Sequence, residues 1–130
     1  MRFVTLEVVA SRYLATHPGT VKRYVRAFAE AAQYVRRHRD EATDILMRRI
    51  SGVSRSAIRT AIGFANPDIR VSKATAQAAQ EGYDFAIKIG LLKQAPTFDE
   101  MFNIGILRQV EREQPELFSD LPPIPDALRL

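Results

Sequence analysis

The residues able to do chemistry in this 130-residue chain are few and scattered. His17 and His38 stand at opposite ends of one helical stretch. At about 1.5 Å rise per residue their backbones would lie roughly 30 Å apart, too far to share a metal or a catalytic dyad within one chain. Asp40, Glu41 and Asp44 cluster where a helix should begin. The macrodipole favours negative charge there, which accounts for them without acid–base catalysis. The chain has no cysteine, so disulfides, thiol catalysis and cysteine–metal sites are excluded. No glycine-rich phosphate loop follows a strand, and no Gly-x-Ser-x-Gly elbow occurs. The expectation is a protein that is not an enzyme, with no catalytic residue, cofactor or metal.

One segment could read a polyanion. In Thr43–Ile62, two short helical patterns meet at Gly52-Val53-Ser54. Glycine permits a sharp turn, as a helix-turn-helix requires. Ser54, Arg55 and Ser56 would open a recognition helix, and Arg59 could meet guanine or phosphate. With Arg70-Val71-Ser72 and Gly82-Tyr83 downstream, the segment looks like the headpiece of lactose-repressor-type regulators. Those carry it at the extreme N-terminus. Here it begins past residue 40, and the span from Ser54 to Ser72 is too long. Nucleic acid is therefore the partner expected under this alternative reading. The net charge of +4 permits such a partner without demanding one.

The elements that would position these residues are mostly helices. At 130 residues, 46% hydrophobic and 26% charged, the chain can bury one core. Phe3–Ala10 is rich in β-branched and apolar residues, which predicts a short strand without a ladder partner. Ser11 can cap a helix through Thr16. Pro18 suits the first turn of a long helix with Val21, Tyr24, Val25, Phe28, Ala32 and Val35 on one face. Asp40 can cap a helix that Gly52 ends, with Ala42, Ile45, Leu46 and Ile50 inward. Ser54 caps the next, with Ala57, Ile58, Ala61 and Ile62 inward, and Ser72 opens another that stops before Gly90. Its inward residues are Ala76, Ala79, Tyr83, Ala86 and Ile87. Thr97 and Glu100 suggest a capping box for a last helix carrying Met101, Ile104, Leu107 and Val110. The proline-rich segment from Pro115 should be extended, draped over the body or loose.

The order of these elements resembles a known family. Val8–Pro18, the long helix and Asp40-Glu41-Ala42 are similar to the C-terminal part of ABC-transporter substrate-binding proteins of the nitrate/sulfonate/taurine type, which are related to thiamine-precursor-binding proteins. Val71-Ser72-Lys73, Gln77 and Ile89-Gly90-Leu91-Leu92-Lys93 resemble that family's penultimate helix and its Gly-Leu-Leu end. Thr97–Phe102 resembles its closing segment, so the likeness runs from about Thr5 to Leu107.

The resemblance implies a mainly α chain of about five to six helices with one short N-terminal strand. It would be equivalent to the C-terminal helical part of a type II periplasmic-binding-protein α/β fold. Residues 1–114 would form one helical domain and 115–130 a tail. The implied function is non-catalytic: a solute-binding component of an ABC importer for nitrate, sulfonate, taurine or a thiamine-pyrimidine-like molecule, or a truncated C-terminal fragment of one. Its partners would be a small anionic or polar solute and an ABC permease. The family's N-terminal lobes, or a second copy, would pair the strand, and a helical module dimerising through that strand is a further reading. Arg12 and Tyr13 follow the strand, a frequent ligand location in α/β folds, and are the positions to probe for ligand contact. The intact family is periplasmic. Met1–Glu7 does not read as a signal peptide, because Glu7 interrupts a short apolar stretch, so a chain made as it stands is expected to be cytoplasmic.

Overall fold

The computed structural model describes residues 7–65 and 67–130. Among them lie seven helices: α1 (Ser11–Thr16), α2 (Pro18–Arg37), α3 (Arg39–Met47), α4 (Arg55–Phe64), α5 (Lys73–Lys88), α6 (Phe98–Met101) and α7 (Gly105–Glu113). Two short 3-10 turns follow, Pro115–Phe118 and Asp126–Leu128. The chain is mainly helical, and no strand occurs among the described residues. Part of the expected strand lies outside the described residues, and its remainder, Glu7–Ala10, is irregular and exposed.

Local chemistry sets several helix ends. Pro18 occupies the first turn of α2, where its absent N–H leaves no bond unmade. Ser54 Oγ accepts from the Ala57 N–H at 3.2 Å. Ser72 Oγ accepts from the Thr75 N–H at 3.3 Å, while Thr75 Oγ1 accepts from the Ser72 N–H at 3.4 Å. Gly90, just beyond α5, has φ +77°, a left-handed conformation that glycine adopts without steric cost.

Other ends fall elsewhere than the sequence suggests. Ser11 is the first residue of α1 and Ala10 its cap. Asp40 and Glu41 lie in the first turn of α3, and His38 is the cap. That helix stops at Met47, and Gly52, with φ +77°, lies in the loop beyond. The expected last helix is broken at Phe102–Ile104. There Asn103 Oδ1 accepts from the Gly105 N–H at 3.3 Å and starts α7 afresh.

The core has two parts. The α3–α4 pair buries Ala42, Ile58 and Ile62, with Val35 of α2 and Leu46 packed against them. Ala57, Ala61, Ile45 and Ile50, all expected inward, stay exposed. Separately, α2 lies along α7 and the Pro115–Phe118 turn. The buried line of α2 is Val21, Ala29 and Ala32, with Val25 half-buried. Tyr24 and Phe28, expected on that line, are 47% and 39% exposed. The physical reason is size: α7 is nine residues long and covers one strip of α2. Alanines let it approach closely, and the aromatic rings move to the flank.

Arg36 fastens the tail to this core. Its side chain, 11% exposed, donates to Asp120, to the Pro67 carbonyl at 2.7 Å and to the Leu117 carbonyl at 2.9 Å. Lys22 pairs with Glu113 at 2.6 Å, tying the start of α2 to the end of α7. The segment after Pro115 is thus draped over the body, and it coils into two 3-10 turns where an extended run is expected. By contrast α5 makes no extensive contact with another helix. It buries Ala78 and Ala79, while Phe85 and, beyond its end, Ile89 and Leu91 are largely exposed.

Candidate functional site

The elbow between α1 and α2 brings Arg12 and Tyr13 into one groove. A cavity of about 530 Å³ there is lined by Glu7, Val8, Val9, Arg12, Tyr13 and Tyr24, among others. Its floor comes from Val21 and Thr20 on the first turns of α2. His17, the cap of α2, stacks on Tyr13 with ring centroids 4.5 Å apart and planes 11° from parallel. Thr16 Oγ1 lies 2.7 Å from His17 Nδ1, while its hydroxyl donates to the Arg12 carbonyl at 2.9 Å. These contacts hold the ring of Tyr13 on the outside of the elbow, 43% exposed. Arg12 is exposed and makes no ion pair among the described residues.

Glu7 and Tyr24 join this groove although no sequence motif marks them as site residues. Tyr24 donates its hydroxyl to Glu7 Oε2 at 2.8 Å and stacks on Phe28 at 6.2 Å. The hydrogen bond to Glu7, then burial and the carboxylate's charge, raise the phenol's pKa above its ordinary value. The signal that was available is the lone Glu7 in an apolar run, which must find a polar partner. The groove therefore has an apolar wall, one unpaired guanidinium and a tyrosine–carboxylate pair. Such a set offers a solute one cation and one carboxylate beside aromatic rings.

The other histidine repeats this local pattern. His38, the cap of α3, stacks on Tyr34 at 4.7 Å. Tyr34 donates to Glu41 at 2.6 Å, and His38 Nδ1 lies 3.2 Å from the same carboxylate. The Tyr34 hydroxyl, then His38, hold Glu41 below its ordinary pKa. No group of three metal-ligating side chains occurs among the described residues.

The residues of the DNA-binding alternative lie together on the α3–α4 pair. Arg55 Nε is 2.9 Å from Asp44, and Arg59 Nε is 3.3 Å from Asp40. Ser54 is committed to its cap and lies 3.0 Å from the Ser56 hydroxyl. Residues 48–54 separate the helices, against a turn of about three to four residues in a helix-turn-helix. Any phosphate approaching Arg55 or Arg59 would also meet two carboxylates.

No family model, no curated protein and no solved structure matches this chain. No helix among the described residues is long and apolar enough to cross a membrane.

Proposed function

We propose that this chain is the C-terminal helical part, or a truncated relative, of a substrate-binding protein that serves an ABC importer. Its solute would be nitrate, a sulfonate, taurine or a thiamine-pyrimidine-like molecule, and its role non-catalytic. The observation that carries this reading is the placement of exposed apolar surface. Val8, Tyr13, Tyr24 and Phe28 flank the α1–α2 elbow, and Phe85, Ile89, Leu91 and Leu92 mark the end of α5. Large apolar side chains exposed close together in sequence are what a surface covered by another domain would present. They fall on the passage from Val8 into α2 and on the Gly-Leu-Leu end, two of the motifs that carry the family resemblance. An α/β lobe seated on the elbow would bring solute toward Arg12 and Tyr13. In an intact relative the first lobe would also supply most ligand contacts.

Titration calorimetry of the chain alone with nitrate, ethanesulfonate or a thiamine-type pyrimidine should show no micromolar binding. Micromolar affinity for any of these would mean a complete cleft and would overturn the fragment reading. A gel shift with duplex DNA separates the alternative. Sequence-dependent retardation with a steep salt dependence, lost in Arg59→Ala, would favour the α3–α4 pair as the working surface instead.

A further inference from the structure

Helix α5 ends in a locked turn. The Gly90 N–H donates to the Ile87 carbonyl at 3.0 Å, and the Leu91 N–H to the Ala86 carbonyl at 2.9 Å. Gly90 takes the left-handed conformation that this pair of bonds needs. In such a turn an apolar residue after the glycine frequently packs back onto its own helix. Leu91 does not, and is 73% exposed. Phe85 and Ile89 are each more than half exposed, and Ile87 and Leu92 are exposed to a smaller degree. The backbone thus holds an apolar tip outward, on a helix that makes no extensive contact with any other.

Two cations bracket this tip. Lys88 is the last residue of α5 and Lys93 follows Leu92, and both are exposed. Among the described residues neither makes an ion pair. The acid that precedes them, Asp84, accepts from the Gln80 amide at 2.9 Å. No further acid follows until Asp99, so residues 85–98 carry two positive charges and no negative one. The α1–α2 elbow differs, since Glu7 lines it beside Arg12.

We propose that the end of α5 seats in the surface of an anionic bilayer, with Ile89 and Leu91 at the acyl boundary and Lys88 and Lys93 at the phosphates. Apolar burial and attraction to anionic headgroups add in binding of this kind. Lysine suits the rim, because its aliphatic stem can lie along the apolar layer while the ammonium stays in water. The contact is peripheral, as no helix among the described residues is long and apolar enough to cross a membrane. It does not rest on solute binding at the elbow. A domain covering the α5 end would compete with the bilayer for the same side chains.

The chain has no tryptophan, so Leu91→Trp places a single fluorescent reporter at the tip. The full chain is mixed with vesicles of phosphatidylcholine alone, and of phosphatidylcholine with about one third phosphatidylglycerol. With the anionic vesicles only, emission should shift to the blue and the protein should sediment, and salt should weaken both effects. Lys88→Gln combined with Lys93→Gln should cut binding about 25-fold, or about fivefold per lysine. Arg48→Gln combined with Arg49→Gln removes the same charge elsewhere and should change binding by no more than about twofold. Circular dichroism identifies a reporter variant that fails to fold, in which case Ile89→Trp carries the test. No blue shift on anionic vesicles, equal binding to neutral ones, or an equal loss in the two double variants would overturn the proposal. So would a concentration-dependent dimer, seen by light scattering without lipid, that Leu91→Gln abolishes, because the tip would then be covered by a second copy.

Discussion

Arg36 grips Asp120 through two hydrogen bonds, Nε to Oδ2 at 2.8 Å and Nη2 to Oδ1 at 2.9 Å. The pair is 84 residues apart in sequence, with the Arg36 side chain largely shielded from water and Asp120 at the surface. The same guanidinium holds the Pro67 and Leu117 carbonyls, so it joins α2, the linker before α5 and the tail at one point. Arginine suits this position because its planar fork matches a carboxylate and still reaches two carbonyls.

Removing that fork should be costly. Arg36→Ala leaves two part-buried carbonyls without their donor and the Asp120 carboxylate to water. The expected loss is about 2–3 kcal/mol, or roughly 10 °C in Tm. Arg36→Lys should recover only part of it, since an ammonium cannot make both bonds to Asp120 and reach the carbonyls. Thermal melts of both variants check this. A lysine variant as stable as the parent would mean that charge alone, without the fork, suffices.

Acid should weaken the same clasp. The hydrogen bonds from Arg36, aided by its charge, lower the Asp120 pKa to about 2. The unfolded chain's aspartate titrates near 3.9. A depressed folded pKa gives stability that is present in full above the unfolded value and disappears as pH falls through the folded one. The contribution of Asp120 is therefore expected to persist above about pH 5 and to fade between about pH 4 and 2. Asp120→Asn should be less stable than the parent at neutral pH, and the two melting curves should converge toward pH 2. A stability gap that stays constant across that range would contradict the pairing.

The two kinds of apolar residue should respond oppositely to substitution. Ala29 and Val110 are each 1% exposed at the α2–α7 layer. Ala29→Leu should overpack it and cost about 1–3 kcal/mol. Phe85→Asn and Leu91→Gln remove side chains that are 54% and 73% exposed. Each should change stability by no more than about 0.5 kcal/mol while reducing aggregation of the isolated chain. Denaturant melts and light scattering measure both effects. A large destabilisation by Phe85→Asn would mean that this face is packed within the chain itself.

How much of this was legible depends on the range of the interaction. Pro18, Ser54, Ser72 and Gly90 act within one helical turn, and each marks the helix end that the sequence suggests. The break at Asn103 was hidden because Met101, Ile104, Leu107 and Val110 keep helical spacing across it. Helical spacing alone puts Tyr24 and Phe28 on the buried line of α2, yet both are exposed. Hydrophobic size points to them, whereas the close approach of α7 selects Ala29 and Ala32. Nothing local announces that Arg36, one of several arginines on α2, meets Asp120 in the tail. At the elbow, Arg12 and Tyr13 were placed by their position after an apolar run. Their neighbours Glu7 and Tyr24 come together only once the chain turns at Pro18.

The most direct test of the solute-binding account is a fusion. The chain would be joined behind the first lobe of a sulfonate-binding protein of an ABC importer, in place of that protein's own C-terminal helices, and titrated calorimetrically with ethanesulfonate. The account predicts micromolar binding by the fusion, none by either half alone, and a clear loss of affinity in Arg12→Ala. A soluble, cooperatively melting fusion that binds no sulfonate would contradict it.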